Sequence, residues 1–268
     1  MTESEAALVA AMGAIRWLPG ARVQADPDVT LVAGGRPFES VNHVLRLGLQ
    51  GADPAIEARI DDIDAELRAR KSVPATWWIG PSTSPADLTR RLRARGFVEA
   101  EPEYGMSIDV AAAPPPAVAV DHVTDAAGLD AFLEVMAGAY GWSDGGRSSV
   151  WAELYRSPLI PPDAPWRHVV VRHDGRPVAC ASLFTTEGHA FVTNVGTIPA
   201  ARGAGHGTAA TLAVLEIARR LGHARASLTA SRMGRGVYAR IGFQEEAVLN
   251  RRISPPPAST RGDGPPES

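Results

Sequence analysis

The run Arg202-Gly203-Ala204-Gly205-His206-Gly207 constrains this chain more than any other stretch. It stands between a β-rich segment, Phe191 to Thr197, that stops at Pro199, and a segment in which Leu212, Leu215, Ala218 and Leu221 recur at helical spacing before Gly222. Proline cannot continue a ladder, and a glycine just past a periodic run is a helix stop. A glycine-rich turn in this setting aligns backbone N–H groups at a helix N-terminus, where the dipole favours anions. Glycine is needed because a Cβ would hold a phosphate off the backbone and forbid positive φ. The turn reads as a phosphate cradle.

Three nucleotide patterns compete for it. The P-loop pattern fails, because no Gly-Lys-Ser/Thr follows. The dinucleotide pattern Gly-x-Gly-x-x-Gly is met only loosely, with Ala210 in the last place. Ser227-Leu228-Thr229 stands where an acidic residue would hold a ribose. The third pattern is Arg-x-x-Gly-x-Gly, met by Arg202, Gly205 and Gly207, with Tyr238-x-x-x-Gly242-Phe243 downstream. On these two motifs, and on the strand, loop, helix, strand and helix that carry them, the chain resembles the GCN5-related N-acetyltransferase (GNAT) superfamily.

The resemblance implies acetyl-CoA as the cofactor. Its pyrophosphate would lie on the backbone of Arg202, Gly203, Ala204, Gly205, His206, Gly207 and Thr208, and its pantetheine along Val195, Gly196 and Thr197. Val195 N–H would face the thioester carbonyl as an oxyanion donor, and Tyr238 would stand at the thiol as proton donor or positioning group. Ser231 occupies the place where many relatives carry a cofactor-contacting asparagine. Arg202 would pair with a phosphate, and His206 would be a semi-exposed side chain in a turn that works through its backbone. An acceptor amine must arrive unprotonated, so a base is sought. Glu187, His189 and Asn194 lie on or beside the substrate-side strand, and Asp144 lies in the Trp142–Ser149 loop. Glu187 or His189 could act through a water, with Glu187 carried as the catalytic candidate, although each of these also reads as a turn residue facing solvent. Trp142 and Trp151 are expected to flank the acceptor pocket.

Composition bounds the rest. At 268 residues the chain suits one large domain or two. With 45% hydrophobic and 21% charged residues it is ordinary for a globular protein, and a net charge of −3 argues against nucleic acid or an anionic membrane as partner. The single Cys180 excludes an internal disulfide and a cysteine-rich metal site; no metal is expected. It lies in the apolar run Pro177 to Phe184 and reads as a buried strand residue rather than a nucleophile. The N-terminus carries acidic residues and no basic region, unlike a signal peptide, and no apolar run approaches ~18 residues. A cytoplasmic setting is expected.

Taken in order, the sequence predicts a helix from Glu3 to about Arg16 and strands at Val29–Ala33 and Val41–Leu49. A long helix follows Asp53-Pro54, with Ile56, Ile60, Ile63 and Leu67 on one face and an Asp64–Arg68 pair on the other. Trp77-Trp78-Ile79 is a short strand, Ser84 to Gly96 a helix with Pro85 just inside its start, and Glu103–Val110 a strand. Ala111 to Pro116 reads as a stiff linker. The second half predicts a strand at Ala117–Val123, helices at Asp125–Ala139 and Val150–Tyr155, and a hairpin turning at Asp174-Gly175. The strand to the glycine turn follows, and Glu245–Ile253 is the last strand. Residues 254–268 read as disordered, and the Arg261-Gly262-Asp263 triplet in them carries little weight as an adhesion motif.

The two halves repeat one order of elements: placing Gly96-Phe97 on Gly242-Phe243 sets Leu92 where Tyr238 stands. The first half has neither the Arg-x-x-Gly-x-Gly turn nor the tyrosine, and so resembles the degenerate first domain of tandem GNAT proteins. The expected architecture is α/β (α+β): two tandem GNAT-like domains, each a mixed, mostly antiparallel sheet flanked by helices. Their bounds are 1–110 and 117–253, joined by 111–116. The expected activity is N-acetyl transfer to a small-molecule amine. The alternatives are a non-catalytic acyl-CoA-binding or regulatory protein and a tRNA-dependent aminoacyltransferase of GNAT fold.

Overall fold

Two elements leave their own halves of the chain. In the computed structural model, which describes residues 1–142, 145–157 and 163–256, β5 (Val98–Asp109) pairs with β10 (Arg225–Ala230) on one side and β11 (Gln244–Ile253) on the other. Strand β11 in turn pairs with β4 (Thr76–Ile79). The last strand of the first half thus lies between two strands of the second, and the last strand of the second lies between two of the first.

The rest of one 11-stranded sheet is built outward from this exchange. Beyond β4 come β3 (His43–Leu45), β2 (Thr30–Ala33) and β1 (Arg22–Ala25). Beyond β10 come β9 (Ala190–Thr197), β8 (Arg176–Thr185), β7 (Trp166–His173) and the two-residue β6 (Asp121–His122). Among the strands of the described residues, only β3–β4 and β9–β10 pair in parallel. A parallel pair needs a crossover, and a helix supplies each one: α2 (Asp53–Ala69) and α6 (His206–Arg220). Each unit then ends alike. Helices α3 (Leu88–Ala94) and α7 (Arg232–Ile241) stop at Gly96 and Gly242, both at positive φ, where the next amide closes back: Phe97 N–H to Leu92 O and Phe243 N–H to Tyr238 O. Only glycine takes this left-handed stop without a Cβ clash.

Helices cover both faces. Helix α6 buries Leu212, Val214, Leu215 and Ala218 against β8–β10. Helices α1 (Glu3–Met12), α4 (Ala126–Tyr140) and α5 (Gly146–Tyr155) cover the other face with Ala7, Leu8, Phe132, Met136 and Leu154. In the first half α2 buries the expected Ile56, Ile60, Ile63 and Leu67, and its Asp64 accepts from Arg68 at 2.7 Å. Buried Arg91 ties α3 to α2 through Asp53 (2.8 Å) and Glu57 and holds Asp87 at 2.9 Å.

Several expectations are corrected. Pro85 lies ahead of α3 instead of inside it: Leu88 N–H bonds Pro85 O in a turn, and Asp87 takes the cap position. Strand β5 starts at Val98, not Glu103, because β11 supplies partners for Val98 and Glu99. Strand β6 shrinks to two residues, since β7 pairs only with Asp121 and His122. Helix α5 starts at Gly146, not Val150. In the expected linker Ala113 is buried and its carbonyl accepts from Arg219 at 2.9 Å, as does that of Val110 just before it at 3.2 Å. Ser254 is likewise buried and fastened, exchanging hydrogen bonds with Ala75 (2.8 and 3.0 Å). The Arg261-Gly262-Asp263 triplet lies outside the described residues.

Candidate active site

Strand β9 leaves its parallel neighbour early. Only Phe191 and Val192 pair with β10, at Ser227 and Leu228. On its other edge Gly196 faces Cys180 while Thr193 already faces Ser182, so Asn194 and Val195 stand against Ala181 alone. This is a β-bulge, which bends a strand and re-aims the residues beyond it. Asn194 takes φ 52°, a left-handed conformation that asparagine tolerates better than most residues. Its side-chain amide is fixed by the Tyr155 hydroxyl and by Ser182 Oγ at 3.1 Å. Ser182 in turn lies 2.7 Å from His168 Nδ1. Burial pushes the His168 imidazole down to about 3, so it stays neutral.

The splay opens a cavity of about 460 Å³. Asn194, Val195 and Thr229 line it from β9 and β10; Ser231 and Tyr238 line it from the start and body of α7. Glu103, Arg251, Trp78, His43 and Glu39 come from the exchanged strands and the first half. Tyr140, Trp142, Arg147 and Trp151 close the remaining wall. Both expected tryptophans are therefore present, with rings parallel to within 2° and centroids 6.4 Å apart, and Tyr140 stacks on Trp142 at 5.2 Å. The charges come in pairs: Glu39 with Arg147 at 3.0 Å, Glu103 with Arg251 at 3.2 Å. His43 is held at both nitrogens, accepting from Trp78 Nε1 (3.2 Å) and facing Ser40 O (3.1 Å), and burial pushes it down to about 4.

The glycine turn lies at the far end of β9. Gly203 and Gly205 take φ 84° and 83°, with open space where a Cβ would stand. Gly205 caps α6 without any side-chain hydrogen bond, so the helix meets solvent with its first N–H groups uncapped. That backbone fits an anionic diphosphate. Gly207 approaches Thr197 closely: a Cβ there would lie 3.1 Å from Thr197 Oγ1. Arg202 does not project freely from the turn. Its guanidinium donates to Thr197 O (3.2 Å) and Ala139 O (3.1 Å), binding the ends of β9 and α4 together. The His206 ring lies beside His173 at 5.2 Å.

Tyr238 faces the cavity from α7, edge-on to Phe243 at 5.8 Å, and burial pushes its hydroxyl above the ordinary phenol range. Ser231 caps α7, its Oγ accepting from Gly234 N–H at 3.2 Å. Glu187 and His189 sit in the β8–β9 turn, Glu187 exposed, and neither borders the cavity. Asp144 lies outside the described residues. The sequence reading missed Glu103, Glu39 and His43, whose arrival depends on strand exchange between the halves. Asn194 stood out in the sequence only for its place beside the strand, whereas its amide fixes the bulge. Among the described residues no cluster of potential metal ligands occurs, and no helix is long and apolar enough to cross a membrane.

Comparison with known proteins agrees with this geometry. The model of the acetyltransferase (GNAT) family matches residues 136–243, the span from α4 through the glycine turn to Phe243. A GCN5-related N-acetyltransferase from Kribbella flavida is 20% identical, with a TM-score of 0.70 over 94% of this chain and 95% of that one. One from Sphaerobacter thermophilus is 18% identical, TM-score 0.57, over 87% and 82%. A tandem GNAT protein from the clavulanic acid biosynthesis pathway is 16% identical, TM-score 0.58, over 89% and 85%. No curated protein matches the sequence. The fold is the mixed, mostly antiparallel sheet with flanking helices of these GNAT structures, and the family model covers the part of the chain that carries the glycine turn and Tyr238.

Proposed function

We propose that this protein transfers an acetyl group from acetyl-CoA to the amine of a small-molecule acceptor. The observation that carries this reading is the alignment, along one strand, of the β9–β10 split, the bulge at Asn194 and the uncapped start of α6. These would receive, in order, the thioester arm and the diphosphate of one extended ligand. The backbone from Gly203 to Thr208 would hold the diphosphate, and Val195, Gly196 and Thr197, beyond the last pair with β10, the pantetheine. Arg202 keeps these two stations in fixed relation by its bonds to Thr197 and Ala139.

When bound, acetyl-CoA supplies an activated acetyl carbonyl and a thiolate leaving group. The new N–C bond forms as the C–S bond breaks. Val195 N–H stabilises charge developing on the carbonyl oxygen, and Tyr238 hands its proton to the departing sulfur. Burial keeps the Tyr238 phenol protonated. Glu103 borders the same cavity and takes the proton released by the amine. The stacked Tyr140, Trp142 and Trp151 hold the acceptor against the thioester, which removes much of the entropy cost of meeting. The first half, a degenerate copy of the same unit, contributes Trp78, His43 and Glu39 to the acceptor side without binding a cofactor of its own. Its working place is the cytoplasm.

Calorimetry with acetyl-CoA on the purified protein, beside a Gly203→Ala, Gly205→Ala double variant, tests the reading. Micromolar binding lost in the variant is the expected result. Wild type without binding would refute the proposal.

A further inference from the structure

Two carbonyls of the bulge are held from the same side of the molecule. Cys180 Sγ lies 3.4 Å from Asn194 O as its donor, and the Tyr140 hydroxyl donates to Val195 O at 3.4 Å. Cys180 is fully buried, and burial pushes its thiol up to about 12, so the sulfur keeps its proton. The peptide linking Asn194 to Val195 is trans and planar, so its C=O and N–H point in opposite directions. With Asn194 O turned to Cys180, Val195 N–H is turned away from Cys180, on the stretch of β9 that has parted from β10. The amide of Asn194, clamped by Tyr155 and Ser182, fixes the same peptide from the side chain. Gly196 packs closely on α4, where a Cβ would meet Ala139 Cβ at 2.8 Å.

We infer that Cys180 is a positioning residue: its S–H···O bond to Asn194 orients the one peptide whose N–H faces the reacting carbonyl. The cysteine that looks like inert core filling therefore sets the direction of the oxyanion donor, with Asn194 as its second anchor. The inference rests on the proposed acetyl transfer, because it takes the Val195 N–H to act on a thioester.

The test reads the carbonyl itself. Acetyl-CoA labelled with carbon-13 at the thioester carbonyl is bound to wild type and to Cys180→Val, Cys180→Ala and Cys180→Ser variants. Isotope-edited infrared difference spectra then report how strongly a donor polarises that carbonyl, while calorimetry reports affinity and thermal melting reports folding. In wild type the band is expected to move to lower frequency than in water. Cys180→Val and Cys180→Ala should lose most of that downshift while binding acetyl-CoA with nearly unchanged affinity, and Cys180→Ser, which keeps a donor, should restore it. Once an acceptor is in hand, kcat should fall roughly tenfold in Cys180→Val with KM little changed, short of the ~10²–10³ loss for deleting an oxyanion donor outright. A full downshift in whichever apolar variant folds would overturn the role of Cys180. A serine variant that is folded yet no better than alanine would do the same. Absence of acetyl-CoA binding to wild type would instead remove the proposed function beneath it.

Discussion

Trp78 and Arg251 face each other across the β4–β11 ladder, with the guanidinium 5.7 Å from the indole centroid. One comes from the middle of the first half, the other lies near the end of the chain, and Arg251 goes on to pair with Glu103 at the cavity wall. A single contact thus joins the exchanged strands and the site they border.

The exchange makes the halves interdependent. A chain ending at Phe243 loses β11 and leaves the edges of both β4 and β5 unpaired, a state that invites aggregation. Such a truncation, and residues 1–116 or 117–268 produced alone, should show no cooperative unfolding in urea. The two fragments produced together should recover a single transition and co-elute on gel filtration.

Tyr238→Phe removes one hydroxyl and keeps the ring against Phe243. The expected loss in kcat is ~10²-fold, with acetyl-CoA affinity within a few-fold of wild type. Steady-state rates beside calorimetry separate the two; an unchanged kcat would deny Tyr238 the proton-transfer role.

Gly205→Ala forces a Cβ into φ 83°, at a strain of roughly 1–2 kcal/mol. Gly222 has the same φ of 83° and the same open surroundings, but it ends α6 instead of starting it. Gly222→Ala should cost similar stability and leave acetyl-CoA affinity untouched, whereas Gly205→Ala should weaken it about tenfold. Equal affinities in the two variants would remove the turn from the binding site.

His43 and His168 are buried neutral, their imidazoles lowered to about 4 and about 3 by burial. An unfolded histidine titrates near ~6.5, so below that value the unfolded chain takes up protons that the native protein refuses. Stability is full above about pH 6.5 and declines as pH falls toward 4, with a slope approaching two protons. Urea midpoints at pH 7.5, 6 and 5 should fall in that order, and His43→Gln should reduce the slope by about one proton.

Local chemistry was legible wherever a residue's neighbours in sequence are its neighbours in space. The glycine turn, the α2 face of Ile56, Ile60, Ile63 and Leu67, and the Asp174-Gly175 hairpin were all visible from spacing alone. The parallel between Leu92 and Tyr238 also stood in the sequence, because both sit a fixed distance before a Gly-Phe helix stop. What could not be read is which edge each strand pairs with. Strands β5 and β11 have ordinary alternating sequences that fit either half, so Glu103 and Arg251 gave no sign of lining the cavity. The bulge was equally hidden, since Asn194 is an ordinary polar residue until its register against Ser182 is known. Glu187 drew notice by its charge beside the right strand, yet the turn carries it outward into solvent.

The interlocked pair β5 and β11 also sets a timetable. As the chain leaves the ribosome, β4 and β5 are made long before the strand that must lie between them, and β5 waits equally for β10. Neither half can close its sheet early, and the open edges persist until β11, ending at Ile253, emerges. Folding therefore waits on β11, and a nascent chain stalled anywhere before it presents a sticky, unfinished sheet to the cell.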